Sequence, residues 1–270
     1  MTTGLYLNSA GRGPELLLLH GWALHGGVWD TLLPRLSLHF RVTRVDLPGH
    51  GLSRAVALSA DLCEVSRQLL RDLPDGAIWL GWSLGGLLAM RAALDAPEKL
   101  RALVLVDTTP RFVAGAGWPH AMPAERLAEF AAGLEHDYRG TLQRFLSLQV
   151  RGDDAARQTL RQLRESLSIG GKPSATDLAM GLAILRDSDL RAELDHIKVP
   201  TLVLAGSHDR LTPPEASEFL AANIPAARLQ LIQRAAHAPF LSHGDEFADA
   251  LLAFSHSLHD ASLATAGVRG

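Results

Sequence analysis

The chain of 270 residues holds one cysteine, Cys63, so no internal disulfide can form. That scarcity fits a reducing compartment. Cys63 has no histidine near it in sequence and lies in a helical-looking stretch, which reads as a buried or half-buried thiol. No apolar run approaches the ~18 residues of a membrane span. The opening Met1-Thr2-Thr3-Gly4 has neither the basic nor the apolar segment of a secretion signal. The expectation is a cytoplasmic protein, working as a monomer. Lysine is also scarce, three residues against 23 arginines, yet neither sign of charge dominates: the formal net charge is -3. That balance excludes a wholly basic nucleic-acid binder and an acidic tail protein.

What is present is core. The chain is 47% hydrophobic and 20% charged, enough for one large domain or one domain with an insertion. Short apolar runs recur at 16–19, 42–45, 77–80, 102–106, 201–205 and 229–232, bounded by glycine or proline. Such runs predict buried strands of a mostly parallel sheet. Helical periodicity occupies about 28–38, 59–73, 84–95, 214–223 and 244–258. The alternation predicts an α/β fold with helices on both faces of the sheet. It breaks once. From 111 to 195 no strand pattern appears, only helical stretches interrupted near 117–123, 152 and 170–173. The expected organisation is a core domain of 1–110 and 196–270, with a helical cap of 111–195 over one edge of the sheet.

Gly81-Trp82-Ser83-Leu84-Gly85 matches G-x-S-x-G between a predicted strand and a predicted helix, the context this motif requires. The serine stands on a sharp turn, and side chains two positions away on either side would clash. A serine hydroxyl needs a base. Twelve histidines compete. His237 follows the last predicted strand by a short loop and is the first candidate; His243 is the decoy. His256 and His259 read as solvent-facing on a terminal helix. The base needs a carboxylate to fix its tautomer. Asp209 follows the run at 201–205, and Asp107, just past 102–106, is a competitor whose plainer reading is a cap on the next turn with Thr108 and Thr109. The oxyanion needs two backbone N–H donors. The candidates are Leu84, next after the serine, and Trp22, in His20-Gly21-Trp22. His20 reads as a brace for that loop, and the Asp46–Gly51 turn (Asp46-Leu47-Pro48-Gly49-His50-Gly51) as structural.

Together these residues resemble the α/β-hydrolase fold superfamily over nearly the whole chain. A closer resemblance lies in Leu18-Leu19-His20-Gly21-Trp22-Ala23, Trp29, Gly81 through Gly86, Phe145-Leu146-Ser147-Leu148-Gln149 and His237-Ala238-Pro239-Phe240. These are similar to the pimeloyl-[acyl-carrier protein] methyl ester esterases of biotin synthesis. The resemblance implies a carboxylesterase that frees the pimeloyl carboxylate, with no metal or other cofactor, acting on an acyl-carrier protein. It implies substrate contacts at Trp22, Ser83, Leu84, Phe145, Leu146, Ser147, Leu148, Gln149 and His237.

A carrier protein of this kind is acidic, and the sequence offers a basic surface for it. Residues 139–164 hold six arginines against Asp153 and Asp154. Arg157, Arg161 and Arg164 are spaced i, i+4, i+7, on one helix face, beside a stripe of Leu160, Leu163 and Leu167 that can pack inward. With Arg144 they form the expected docking face, suited to bidentate phosphate contact. The plainer reading is a solvated helix face. Two other functions share the motifs: a different small-ester, lactone or C–C bond hydrolase, and a non-catalytic binding protein on the same fold.

Overall fold

The computed structural model describes residues 4–169 and 171–267; Met1, Thr2 and Thr3, on which the secretion-signal reading rests, and Gly170 lie outside the described residues. Among the described residues one sheet of seven strands forms the core: β1 Leu7–Ala10, β2 Glu15–Leu19, β3 Arg41–Val45, β4 Ala77–Trp82, β5 Leu100–Val106, β6 Thr201–Gly206 and β7 Ala227–Ile232. Their order is β1-β3-β2-β4-β5-β6-β7. Only β1 runs antiparallel, pairing Leu7 with Val45 and Ala10 with Val42. Six strands coincide with the apolar runs, because β2, β4 and β6 are buried on both faces and carry no polar alternation. Strand β1 gave no such signal. It is a short edge strand with every side chain at least partly exposed, so its residues need not be apolar.

The helices are α1 Leu33–Leu36, α2 Leu62–Asp72, α3 Leu84–Asp95, α4 Ala124–His136, α5 Tyr138–Gln149, α6 Ala156–Ile169, α7 Ala175–Asp187, α8 Pro214–Asn223, α9 Pro239–Ser242 and α10 Gly244–Gly267. Asp61 starts α2 by accepting from the Cys63 and Glu64 amides. Helix α3 is buried almost all round, as befits the helix that follows the central strand. The predicted helix at 28–38 is a 3-10 turn, Gly26–Leu32, running into α1.

Helices α4 to α7 fill the interval between β5 and β6. Its two stems lie together: Leu190 N–H donates to Pro110 O at 2.9 Å, and Arg111 pairs with Asp189 at 3.1 Å. These helices do not lie along an edge of the sheet. They sit over the carboxyl ends of the strands, and their backbone is tied to loops there: Trp22 Nε1 donates to Leu178 O on α7, His25 Nε2 to Ser166 O on α6, and His237 N to Gln149 O at the end of α5. No described helix is long and apolar enough to cross a membrane.

Candidate active site

Parallel strands deliver their loops to one end of the sheet. The strand order therefore lines up the loop after β2, Ser83 after β4, Asp107 after β5, Asp209 after β6 and His237 after β7. Ser83 has φ 55° and ψ -118°, a strained conformation for a residue with a side chain. The neighbours hold it there. Ser83 N–H donates to Val106 O, and Thr108 Oγ1 donates to Ser83 O at 2.7 Å. The glycines are required by space. A Cβ on Gly81 would lie 2.3 Å from Gly85 O, and one on Gly85 would lie 2.5 Å from Leu19 O.

Asp209 and His237 are 3% and 1% exposed, and Ser83 is 3% exposed. His237 Nδ1 donates to Asp209 Oδ2 at 2.7 Å. Asp209 accepts three further hydrogen bonds, from Leu211 N, Thr212 N and the Thr212 hydroxyl. A buried carboxylate so furnished is fixed in place. With Nδ1 committed, His237 Nε2 is buried without a partner and is the nitrogen free to take a proton. The imidazole is braced from the nucleophile's side: Trp82 Nε1 donates to His237 O at 2.6 Å, and the two rings lie 5.6 Å apart.

The loop after β2 meets the serine. A Cβ on Gly21 would lie 3.3 Å from Ser83 Cβ. His20 does brace this loop, donating from Nδ1 to Gly21 O and accepting at Nε2 from Leu47 N. Burial and the nearby His50 hold the His20 ring well below the usual imidazole range. The Trp22 ring stands edge-on to Phe145, at 4.7 Å. Leu84 opens α3, so its amide has no intrahelical acceptor. The arrangement suits attack by a serine on a carbonyl, with a histidine base and backbone amides at hand.

A model of the α/β hydrolase fold matches residues 14–244. A pimeloyl-[acyl-carrier protein] methyl ester esterase of Xanthomonas oryzae pv. oryzae is 44% identical over 254 residues, covering 94% of this chain and 100% of the relative. A protein of the same name from Nitrosomonas europaea is 44% identical and covers 90% of this chain and 96% of the relative. The chain belongs to the pimeloyl-[acyl-carrier protein] methyl ester esterase family of α/β hydrolases. Among solved structures, an esterase from Exiguobacterium antarcticum shares the fold, with a TM-score of 0.83 at 24% identity over 93% of this chain and 94% of that one. A hydrolase from Pseudomonas aeruginosa aligns at 30% identity, with a TM-score of 0.73 over 93% and 92% of the two chains.

In this α/β hydrolase the helices between β5 and β6 reach the site at several points that no motif announces. By sequence Asp153 is a counter-charge to the arginines. It is buried, and its Oδ2 accepts from the Ala236 amide, one residue before His237. The segment of the esterase-family resemblance divides in two. Phe145, Leu146 and Gln149 are buried, whereas Ser147 and Leu148 line a groove with Phe130, Arg126, Arg144 and Arg164. Gln149 Oε1 is buried without a partner. The leucine stripe of α6 packs inward as its spacing requires, with Leu163 fully buried. Arg144, Arg157, Arg161 and Arg164 are exposed. Arg144 pairs with Asp137, and Arg161 lies 3.8 Å from Glu165. Arg157 and Arg164 pair with no carboxylate among the described residues.

His243 stays outside the site, bonded to the Ser242 hydroxyl, and His256 and His259 are exposed. Asp46 holds its turn through the Gly26 and Leu52 amides. Asp107 does not cap its own turn. Its Oδ1 accepts from Gly206 N at 2.9 Å, while Thr109 bonds Arg111 O.

Proposed function

We propose that the protein hydrolyses the methyl ester of a pimeloyl chain carried on acyl-carrier protein, releasing methanol and the free carboxylate. The observation that carries the reading is the buried Asp209–His237 hydrogen bond on a loop braced by Trp82, beside a strained Ser83, in a chain 44% identical to esterases of that name. His237 takes the Ser83 proton through Nε2 as the hydroxyl attacks the ester carbonyl. Trp22 and Leu84 N–H groups receive the oxyanion. His237 then protonates the departing methoxide, and a water activated by the same ring frees the acid. Every step is a proton transfer or an acyl transfer.

Residues 111–195 act as a cap that shapes the acyl channel, with Trp22, Leu24, Trp82, Phe145 and Leu148 as its apolar lining. Leu146, Ser147 and Gln149 complete the contacts on α5. The carrier protein docks on Arg144, Arg157, Arg161 and Arg164. That Arg157 and Arg164 pair with no carboxylate among the described residues supports this, because their charge is left for a partner. The protein acts in the cytoplasm, as a monomer.

Incubation with pimeloyl methyl ester on carrier protein, followed by mass spectrometry of the carrier, tests the reading. Loss of the methyl group with wild type and not with Ser83→Ala supports it. Hydrolysis of small lactones with no action on the carrier-bound ester would assign the same triad to another substrate. No labelling of wild type by a fluorophosphonate probe that labels a control esterase would make it a binding protein.

A further inference from the structure

Strand β5 lies between the strand of the nucleophile and the strand of Asp209. The histidine loop arrives from β7, at the far side, and must reach across β6 and β5 to meet Ser83. The residue just past the end of β5 is therefore beneath it. That residue is Asp107, a fully buried second carboxyl. One oxygen of Asp107, one of Asp209 and one ring nitrogen of His237 lie within 4.8 Å of one another. Asp107 is held there at φ 38°, a left-handed conformation that few side-chain-bearing residues adopt.

The two carboxyls are treated unequally. Asp209 faces four donors. Asp107 has one donor, Gly206 N on Oδ1, and its Oδ2 is buried with none. Two buried carboxylates this close cannot both be charged at neutral pH. The trio also has the composition of a metal site. However, the 2.7 Å hydrogen bond between His237 and Asp209 uses the Nδ1 proton, which leaves no lone pair there for an ion.

We propose that Asp107 is a protonated carboxylic acid whose Oδ2 proton points at the Asp209 carboxylate, making it a positioning residue for the triad. This explains the orphaned oxygen: with a proton it is a donor, and Asp209 is its acceptor. The triad then keeps a single negative charge, and its acid gains a fifth hydrogen bond. Burial and the adjacent Asp209 push the Asp107 carboxyl well above the usual carboxylate range, in the same direction. The titratable groups facing it are Asp209 and His237 from the loops after β6 and β7, and Asp153 from between α5 and α6. Two of these are acidic, and each opposes its ionisation.

The inference rests on the triad proposed above. The experiment compares wild type, Asp107→Leu, Asp107→Asn, Asp209→Asn and Ser83→Ala on a p-nitrophenyl ester across pH. Asn copies the shape of the neutral acid and keeps an N–H in place of the O–H. Asp107→Leu, which removes the donor, is expected to lower kcat/KM by about tenfold, and Asp107→Asn, which restores one, to recover most of that loss and leave the acid limb of the pH profile unmoved. Were Asp107 charged in wild type, Asn would delete a negative charge beside the imidazolium. The acid limb would then move down by about one pH unit, and that result overturns the proposal. A second measurement needs no variant. Infrared spectra of wild type at neutral pH should show a protonated-carboxyl C=O band that vanishes on unfolding; its absence would equally overturn the proposal. Full activity in Ser83→Ala and Asp209→Asn would instead sink the triad, and the infrared result would still decide Asp107 by itself.

Discussion

Asp209 and Arg157 are both charged side chains, and they stand under opposite conditions. Asp209 is buried, with four donors and one orientation. Arg157 is exposed, has no carboxylate partner among the described residues, and can take many rotamers. The contrast runs through the two regions that hold them. At the carboxyl ends of the strands the residues hold one another: His237 is fixed by Asp209, Trp82 and Gln149, and Ser83 by Thr108 and Val106. On the outer face of α6, Arg157, Arg161 and Arg164 are spaced by helical period, and Arg157 and Arg164 pair with no carboxylate among the described residues. Rigid, dry geometry serves a transition state that must meet the same atoms at each turnover. In the proposed reading, exposed charge without a carboxylate partner serves an encounter with a macromolecule, because it acts at a distance and costs little to leave in water.

The largest effects should come from the strand ends. Ser83→Ala should abolish ester hydrolysis, and Asp209→Asn should lower kcat by about 10⁴ with the fold kept, measured on carrier-bound and free esters alike. An equal loss on both substrates is the signature of chemistry. Reversing the charge of Arg157 and Arg161 together should act the other way. It should raise KM for the carrier-bound ester by about tenfold or more, about 1.4 kcal/mol or more in all, and leave the free ester alone. Added salt should reproduce part of that loss in wild type.

Between these regions lies Asp153, which belongs by sequence to the arginine-rich stretch and by contact to the histidine loop. Asp153→Ala leaves the buried Ala236 amide without its acceptor, at a cost of about 1–3 kcal/mol in stability. Because that amide adjoins His237, kcat should fall several-fold with KM little changed. A change in KM for the carrier alone would move Asp153 into the docking surface.

Such contacts mark the limit of what the sequence discloses. The six parallel strands and the serine elbow are legible because each of those strands carries an apolar run and the close approach of Gly81 and Gly85 constrains residue type. Strand β1 is not, since all four of its side chains are at least partly exposed and need not be apolar. Chain order leaves two candidates for the acid, Asp209 and Asp107, and no spacing rule tells that the two stand together beside one imidazole. The bonds from His237 N to Gln149 O and from Ala236 N to Asp153 involve backbone amides, which any residue supplies. The interval from β5 to β6 is legible as helices. Its seat over the strand ends is not, because Trp22 on Leu178 and His25 on Ser166 join residues more than 140 positions apart.

The smallest effects concern pH. His20 and His50 are buried, and burial lowers the proton affinity of both in the folded state. The unfolded chain binds those protons more readily. Stability should therefore be fully present above the ordinary imidazole value and be lost as pH falls below it, with a slope of up to about 1.4 kcal/mol per pH unit for each ring. Asp107 acts in the opposite sense. Its folded carboxyl holds its proton more tightly than the unfolded one, so stability should decline as pH rises from the ordinary carboxylate range towards its raised value. Denaturant titrations of Asp107→Asn should lack that decline.

The comparison between strand ends and arginine face stands on one ratio: kcat/KM for pimeloyl methyl ester on carrier protein divided by kcat/KM for the free methyl ester. For the Arg157→Glu/Arg161→Glu variant this ratio should fall about tenfold or more relative to wild type, with the free-ester value unchanged. An unchanged ratio, or an equal fall in both terms, would contradict the division of chemistry and recognition between the two regions.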